Sequence, residues 1–117
     1  MLIGGNAAIG RGSIVSVKST CEIGSYAQIG RNVQIQDSNH ATSRDNLIKY
    51  QRAEIDPISI GCDCWSGTGT NNLSGAAIGN SVVVGVNAVA AKDIPDSAIA
   101  VKRPARVIKY LDALIGD

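Results

Sequence analysis

The sequence predicts an all-β chain wound as a parallel β-helix, and three observations carry that expectation. Aliphatic residues followed by glycine return every six residues, as in Ile23-Gly24-Ser25-Tyr26-Ala27-Gln28 and Ile29-Gly30-Arg31-Asn32-Val33-Gln34, and again from Ile60-Gly61 through Ile78-Gly79 to Val84-Gly85. Fixed-period self-similarity is the mark of a repeat architecture, and no amphipathic helix fits such a period. The chain has no Phe and 13 Gly among 117 residues, which suits an interior too narrow for stacked rings and a backbone with many tight corners. The same beat runs on both sides of a single interruption, so residues 1–117 form one domain.

Each hexad supplies a short extended segment, an inward branched aliphatic, a small residue to turn the corner and a second small inward residue. Three hexads make a coil of roughly 18 residues, and successive coils stack at the ~4.8 Å strand spacing. Ile3, Ile9 and Val15 open the faces of a first coil, and Ile23, Ile29 and Ile35 follow two residues out of phase, which places a small insertion between Val17 and Glu22. Coils are expected over 3–36 and 58–95, separated by a polar loop over 37–57 without structure of its own. A long loop inside a compact domain is usually functional. The repeat resumes at Ile58 or Ile60 and the prism closes at Pro95. Beyond Pro104, Val107, Ile108, Leu111, Leu114 and Ile115 fall at helical spacing, predicting a C-terminal helix over 104–115 stopped by Gly116. Ser66, Asn72 and Ala90 stand at inward positions, and Leu73 directly after Asn72 predicts a local register adjustment. A slender solenoid buries less surface than a rounded domain, so its open flanks call for partner subunits.

Charge and composition narrow the function. A net charge of +1 argues against generic nucleic-acid binding, which normally shows a basic excess over the whole domain. No apolar run approaches the ~20 residues that span a bilayer. The repeat begins at once after Met1, with no leader pattern, and three cysteines fit a reducing compartment, so cytoplasmic residence is expected. Cys62-x-Cys64 has only one His and one further Cys to join it, so no metal site is expected; Cys64 takes an inward slot and Cys62 a corner.

The loop carries the sole histidine, His40, whose imidazole, with an ordinary pKa near ~6.5, is the natural group to take a proton from a hydroxyl near neutral pH. The order of parts is the repeat, Ile35-Gln36-Asp37-Ser38-Asn39-His40, the loop, Ile60-Gly61 with Trp65, more repeats, Lys92-Asp93-Ile94-Pro95 and Pro104-Ala105-Arg106-Val107-Ile108. It resembles the sugar O-acetyltransferases (maltose, galactoside and polysaccharide types) of the hexapeptide-repeat acyltransferase family. The resemblance implies a left-handed parallel β-helix and makes His40 the general base, with Trp65 at the acceptor; Asp37 and Asn39, the polar groups nearest in sequence, either bind the acceptor or orient the imidazole. It implies that Trp65 walls the site between acceptor and acetyl group, that Thr68, next to Gly67, offers a backbone N–H near the thioester, and that Gly67, Gly85 and Ala91 line the pantetheine groove. Lys92, Lys102, Arg106 and Lys109 would meet the nucleotide end of coenzyme A; from Lys92 to Lys109 there are five basic and two acidic residues. Acetyl-CoA as co-substrate, direct transfer to a sugar hydroxyl, no metal, and a homotrimer with active sites between subunits complete what the resemblance implies.

Lys102 stands where the family has Gly and either adds a phosphate contact or obstructs the cofactor's approach, and Asn87 replaces another usual Gly, more mildly because Asn tolerates left-handed backbone angles. A γ-class carbonic anhydrase of the same fold needs three His ligands, and nucleotidyltransferases with β-helical tails need a large further domain. A non-catalytic β-helical assembly protein and an antibiotic or aminosugar acetyltransferase are the alternatives. The loop offers no acceptor code; Tyr50 or Arg52 either touches a sugar or anchors the loop.

Overall fold

The six-residue beat becomes strands of two or three residues separated by four-residue corners. A computed structural model describes residues 1–112. The chain visits three faces in rotation. The first face holds β1 (Leu2–Ile3), β4 (Cys21–Ile23), β9 (Ile58–Ile60) and β12 (Ala77–Ile78). The second holds β2 (Ala8–Ile9), β5 (Gln28–Ile29), β10 (Trp65–Ser66), β13 (Val83–Val84) and β15 (Ala98–Val101). The third holds β3 (Ile14–Ser16), β6 (Gln34–Gln36), β11 (Asn71–Asn72) and β14 (Val89–Ala90). All pairings among these strands are parallel, so the chain is a three-sided coil.

Register stacks like positions into columns. Ile3, Ile23, Ile60 and Ile78 align on the first face, and Ile94 continues the column through a bridge to Ile78. The third face aligns Val15, Ile35, Asn72 and Ala90. The offset between Ile3 and Ile23 is the inserted pair of residues expected between Val17 and Glu22. Asn72, by contrast, stays in step with Ile35 and Ala90, and no register adjustment occurs at Leu73. The inward side chains are buried, and each Ile or Val so placed contributes about 1.5–3 kcal/mol. At the open end of the stack Ile3 is still 47% exposed, because no coil covers its other side.

The corners explain the small and polar residues between strands. Along the edge joining the first and second faces, Asn6, Tyr26, Asp63, Ser81 and Ser97 all adopt φ between 55° and 61°. Tyr26, Asp63, Ser81 and Ser97 each give their N–H to the preceding coil, as in Asp63 to the Ser25 carbonyl at 2.9 Å and Ser81 to the Cys62 carbonyl at 2.9 Å. On the edge joining the second and third faces, Asn87 takes φ 60° and Lys102 φ 83°. Cys64 is buried and Cys62 exposed, the inward and corner positions that the hexad assigns them.

Three further expectations are corrected. The coil does not close at Pro95, because β15 pairs in parallel with β13 and adds most of a further turn. The segment after Pro104 is not a helix: β16 (Arg106–Tyr110) pairs antiparallel with β15, and residues 113–115 of the expected helix lie outside the described residues. The last strand of a sheet leaves a row of unpaired backbone groups, and the β-branched and aromatic run Val107-Ile108-Lys109-Tyr110 suits a strand that satisfies them. The segment 37–57 also has structure of its own, a hairpin of β7 (Ser38–His40) and β8 (Ala53–Ile55) with a short 3-10 turn at Ile48–Tyr50. The Gln51 side-chain amide donates to the carbonyls of Ser43 and Asn46 and ties the tip together.

Candidate active site

The hairpin leaves the coil at Asp37, on the edge joining the third and first faces. Asp37 is fully buried. Its carboxylate accepts the backbone N–H groups of Lys18 (2.9 and 3.1 Å) and Ser19 (2.7 Å). These bonds, that of Lys18 first, hold its carboxyl below the ordinary value of 3.8 against the opposing effect of burial. The inserted residues of the first coil therefore form the seat of this carboxylate. The next strand carries Asn39 and His40, whose backbones pair with Glu54 and Ala53. The Asn39 Nδ2 donates to the Ser74 hydroxyl at 2.7 Å, tying the hairpin to the same edge one coil further on. Ala91 and Lys92, both exposed, lie on this edge in the coil after that.

A second group sits across the molecule. Trp65 points outward from the second face, 56% exposed, between Gln28 and Val83 of the neighbouring strands. With Gly67, Val83, Val84, Gly85 and Val86 it lines an apolar cavity of about 180 Å³. The glycines keep its floor open. A Cβ on Gly67 would lie 3.0 Å from the Val86 backbone nitrogen, and one on Gly85 2.8 Å from the Val101 side chain. Thr68 follows on the exposed corner. The neighbouring Gly67 and Gly69 N–H groups bond the Val84 and Arg31 carbonyls, while the Thr68 N–H has no acceptor among the described residues. Further along this edge come Lys102 and Arg103, whose Nε donates to the Asn87 carbonyl at 2.7 Å. Arg106 and Lys109 are exposed on β16 beside it.

The sequence-derived residues thus fall into two sets. Asp37, Asn39, His40, Ala91 and Lys92 lie on the edge joining third and first faces, whereas Trp65, Gly67, Thr68, Gly85 and Lys102 lie on the second face and its far edge. In a three-sided coil each edge is opposite the remaining face, so one chain does not bring the two sets together. A larger cavity of about 430 Å³ runs along the first face past Gly4, Glu22, Ser59 and Asn80, and contains none of them. Val83 and Val86, which wall the smaller cavity, were not singled out from the sequence; their outward places in the hexad beside Trp65 and Gly85 are the signal that marks them. Among the described residues no cluster of His, Cys, Asp and Glu could hold a metal ion, and no helix is long and apolar enough to cross a membrane.

No family model matches the chain. Individual proteins do. It is 35% identical over 91% of its length to a protein of Mycobacterium tuberculosis named "probable acetyltransferase", covering 36% of that protein. It is 31% identical over 80% of its length to the galactoside O-acetyltransferase of Escherichia coli, covering 45% of it. The chain therefore spans less than half the length of both relatives. A galactoside acetyltransferase solved in complex with coenzyme A superposes with a TM-score of 0.74 at 26% identity, covering 95% of this chain and 65% of that one. In sequence the chain is similar to acetyltransferases, a galactoside O-acetyltransferase among them, and in fold it resembles hexapeptide-repeat acetyltransferases.

Proposed function

We propose that this chain is an acetyl-CoA-dependent O-acetyltransferase acting on a sugar hydroxyl, built on a left-handed coil and assembled as a cytoplasmic homotrimer with its active sites between subunits. The observation that carries the reading is the apolar cavity of Trp65, Gly67 and Gly85, next to the edge that carries Thr68, with its unused N–H, and Lys102 and Arg103. It suits a thin thioester-bearing arm with a polyphosphate at its end. The galactoside acetyltransferase it resembles was crystallised with coenzyme A.

The division of the residues supports the between-subunit site. When the His40 edge of one copy faces the Trp65 face of the next, base, groove and N–H donor meet. His40 takes the proton of the acceptor hydroxyl as its oxygen attacks the acetyl carbonyl carbon, and the coenzyme A thiolate leaves. General-base help of this kind is worth ~10²–10⁴-fold. The Thr68 N–H donates to the carbonyl oxygen as charge develops on it. Lys92, Lys102, Arg106 and Lys109 hold the nucleotide phosphates. Asp37 and Asn39 contribute by fixing the strand that bears His40, since the Asp37 carboxylate is engaged by backbone amides and the Asn39 amide by Ser74.

Calorimetry with acetyl-CoA tests the reading without knowledge of the acceptor. Saturable binding weakened about tenfold by Lys92→Ala, which removes one charge-assisted contact, is expected. A folded protein that binds no acetyl-CoA would refute it.

A further inference from the structure

One edge of the coil carries positive charge with no negative charge to match it. The edge joining the second and third faces consists of residues 10–13, 30–33, 67–70, 85–88 and 102–105, and it carries Arg11, Arg31, Lys102 and Arg103 with no Asp or Glu. The opposite balance holds on the edge joining the first and second faces, where the only charged residues are Asp63 and Asp96. The outward strand positions on both faces flanking the basic edge, from Gln28, Trp65 and Val83 to Gln34, Asn71 and Val89, are uncharged. Arg11 and Arg31 are exposed and have no carboxylate on their own edge or on the flanking parallel strands to neutralise them.

Their height along the stack is informative. The backbone ladder runs from Arg11 to Asn32, from Arg31 to Gly69 and from Thr68 to Asn87, one coil per step, and ends where the Val89 N–H meets the Lys102 carbonyl. With ~4.8 Å per coil, Lys102 lies two coils, about 10 Å, beyond Thr68 in one direction, while Arg31 lies one coil and Arg11 two coils beyond it in the other. This rests on the proposed function: if the thioester carbonyl sits at Thr68 and the nucleotide at Lys102, the acceptor occupies the end of the groove that Arg31 and Arg11 overlook. His40 stands on the hairpin that leaves the second coil, the coil that carries Arg31.

We propose that Arg31 and Arg11 select an anionic acceptor, a sugar bearing a carboxylate or a phosphate, with Arg31 the principal contact. Guanidinium groups suit both oxyanions because they present paired N–H donors to them. The uncharged surroundings leave their charge uncompensated and able to steer such an acceptor.

The test compares methyl galactoside, methyl glucuronide and glucose 1-phosphate as acceptors at fixed saturating acetyl-CoA, in the native protein and in Arg31→Gln and Arg11→Gln. The expected result is a kcat/KM for at least one anionic sugar about tenfold or more above that for the neutral one. Arg31→Gln should collapse that ratio through KM, and Arg11→Gln lower it partly, while acetyl-CoA affinity measured by calorimetry stays within about twofold. Preference for the glucuronide or for the phosphate identifies which anion the site takes. Equal turnover of neutral and anionic sugars, or a preference that neither substitution alters, would overturn the proposal while leaving the acetyltransferase reading intact. Loss of acetyl-CoA binding in the native protein would remove both.

Discussion

Thr70 and Asn72 are the residues whose placement costs most. Thr70, in the corner before β11, and Asn72, on β11, are both buried, and the Thr70 hydroxyl and both polar atoms of the Asn72 amide lack a protein partner among the described residues. A buried polar group left unpaired costs about 1–3 kcal/mol. Thr70→Val keeps the shape and removes the hydroxyl, so it should raise the urea midpoint by an amount equivalent to about 1 kcal/mol. Asn72→Leu, between Ile35 and Ala90, should do so as well; a lower midpoint for both variants would show that these groups are satisfied within the coil. Asp37 is the opposite case, a buried polar group fully engaged. Its folded pKa lies below its unfolded one, so it adds stability at pH values above the ordinary 3.8, and that contribution is lost as pH falls through the folded value. The gap in urea midpoint between native protein and Asp37→Asn should be wider at pH 7 than at pH 3. A gap unchanged over that range would mean that the carboxylate charge is not what holds Lys18 and Ser19.

Corner glycines govern at the scale of the coil element. A Cβ on Gly24 would stand 2.5 Å from the backbone nitrogen of Cys62 in the coil above. Overpacking of this kind typically costs 1–3 kcal/mol, and here backbone rather than a side chain must yield, so Gly24→Ala should lower the thermal midpoint by about 5 °C or more. A midpoint within 1 °C of the native one would show that adjacent coils can separate at little cost. The elements legible in the sequence were those governed by this stacking. Ile23, Ile60 and Ile78 repeat because they share a column, and the phase slip before Ile23 marked the insertion that seats Asp37. The hairpin was hidden because Ser38–His40 and Ala53–Ile55 pair through backbone with little apolar alternation to betray them. The spacing of Val107, Ile108 and Leu111 is equally that of a helix, and nothing in that short run reveals that β15 still has an edge to fill. His40, Trp65 and the glycines of the groove stood out by residue type, but their distribution over opposite sides of one chain needs the order of the faces.

The whole molecule is where that distribution has its consequence. If the site forms between copies, His40→Ala and Trp65→Ala proteins, each impaired alone, should regain activity when unfolded together and reassembled. Random mixing would give native pairs at about a quarter of the interfaces of a cyclic assembly. Mixed samples no more active than the separate variants would place the whole site within one chain.

The hairpin also interrupts the rhythm of the stack. Ile23 and Ile60 are neighbours in space although they are 37 positions apart, whereas Ile60 and Ile78 are only 18 apart. The two halves of the coil are thus joined covalently by an exposed hairpin, but held together by a full cross-section of backbone ladders on all three faces. A protease that cuts after Arg44 or Lys49 would sever the chain without parting it, and the halves on either side would behave as two pieces of a split protein able to find each other again.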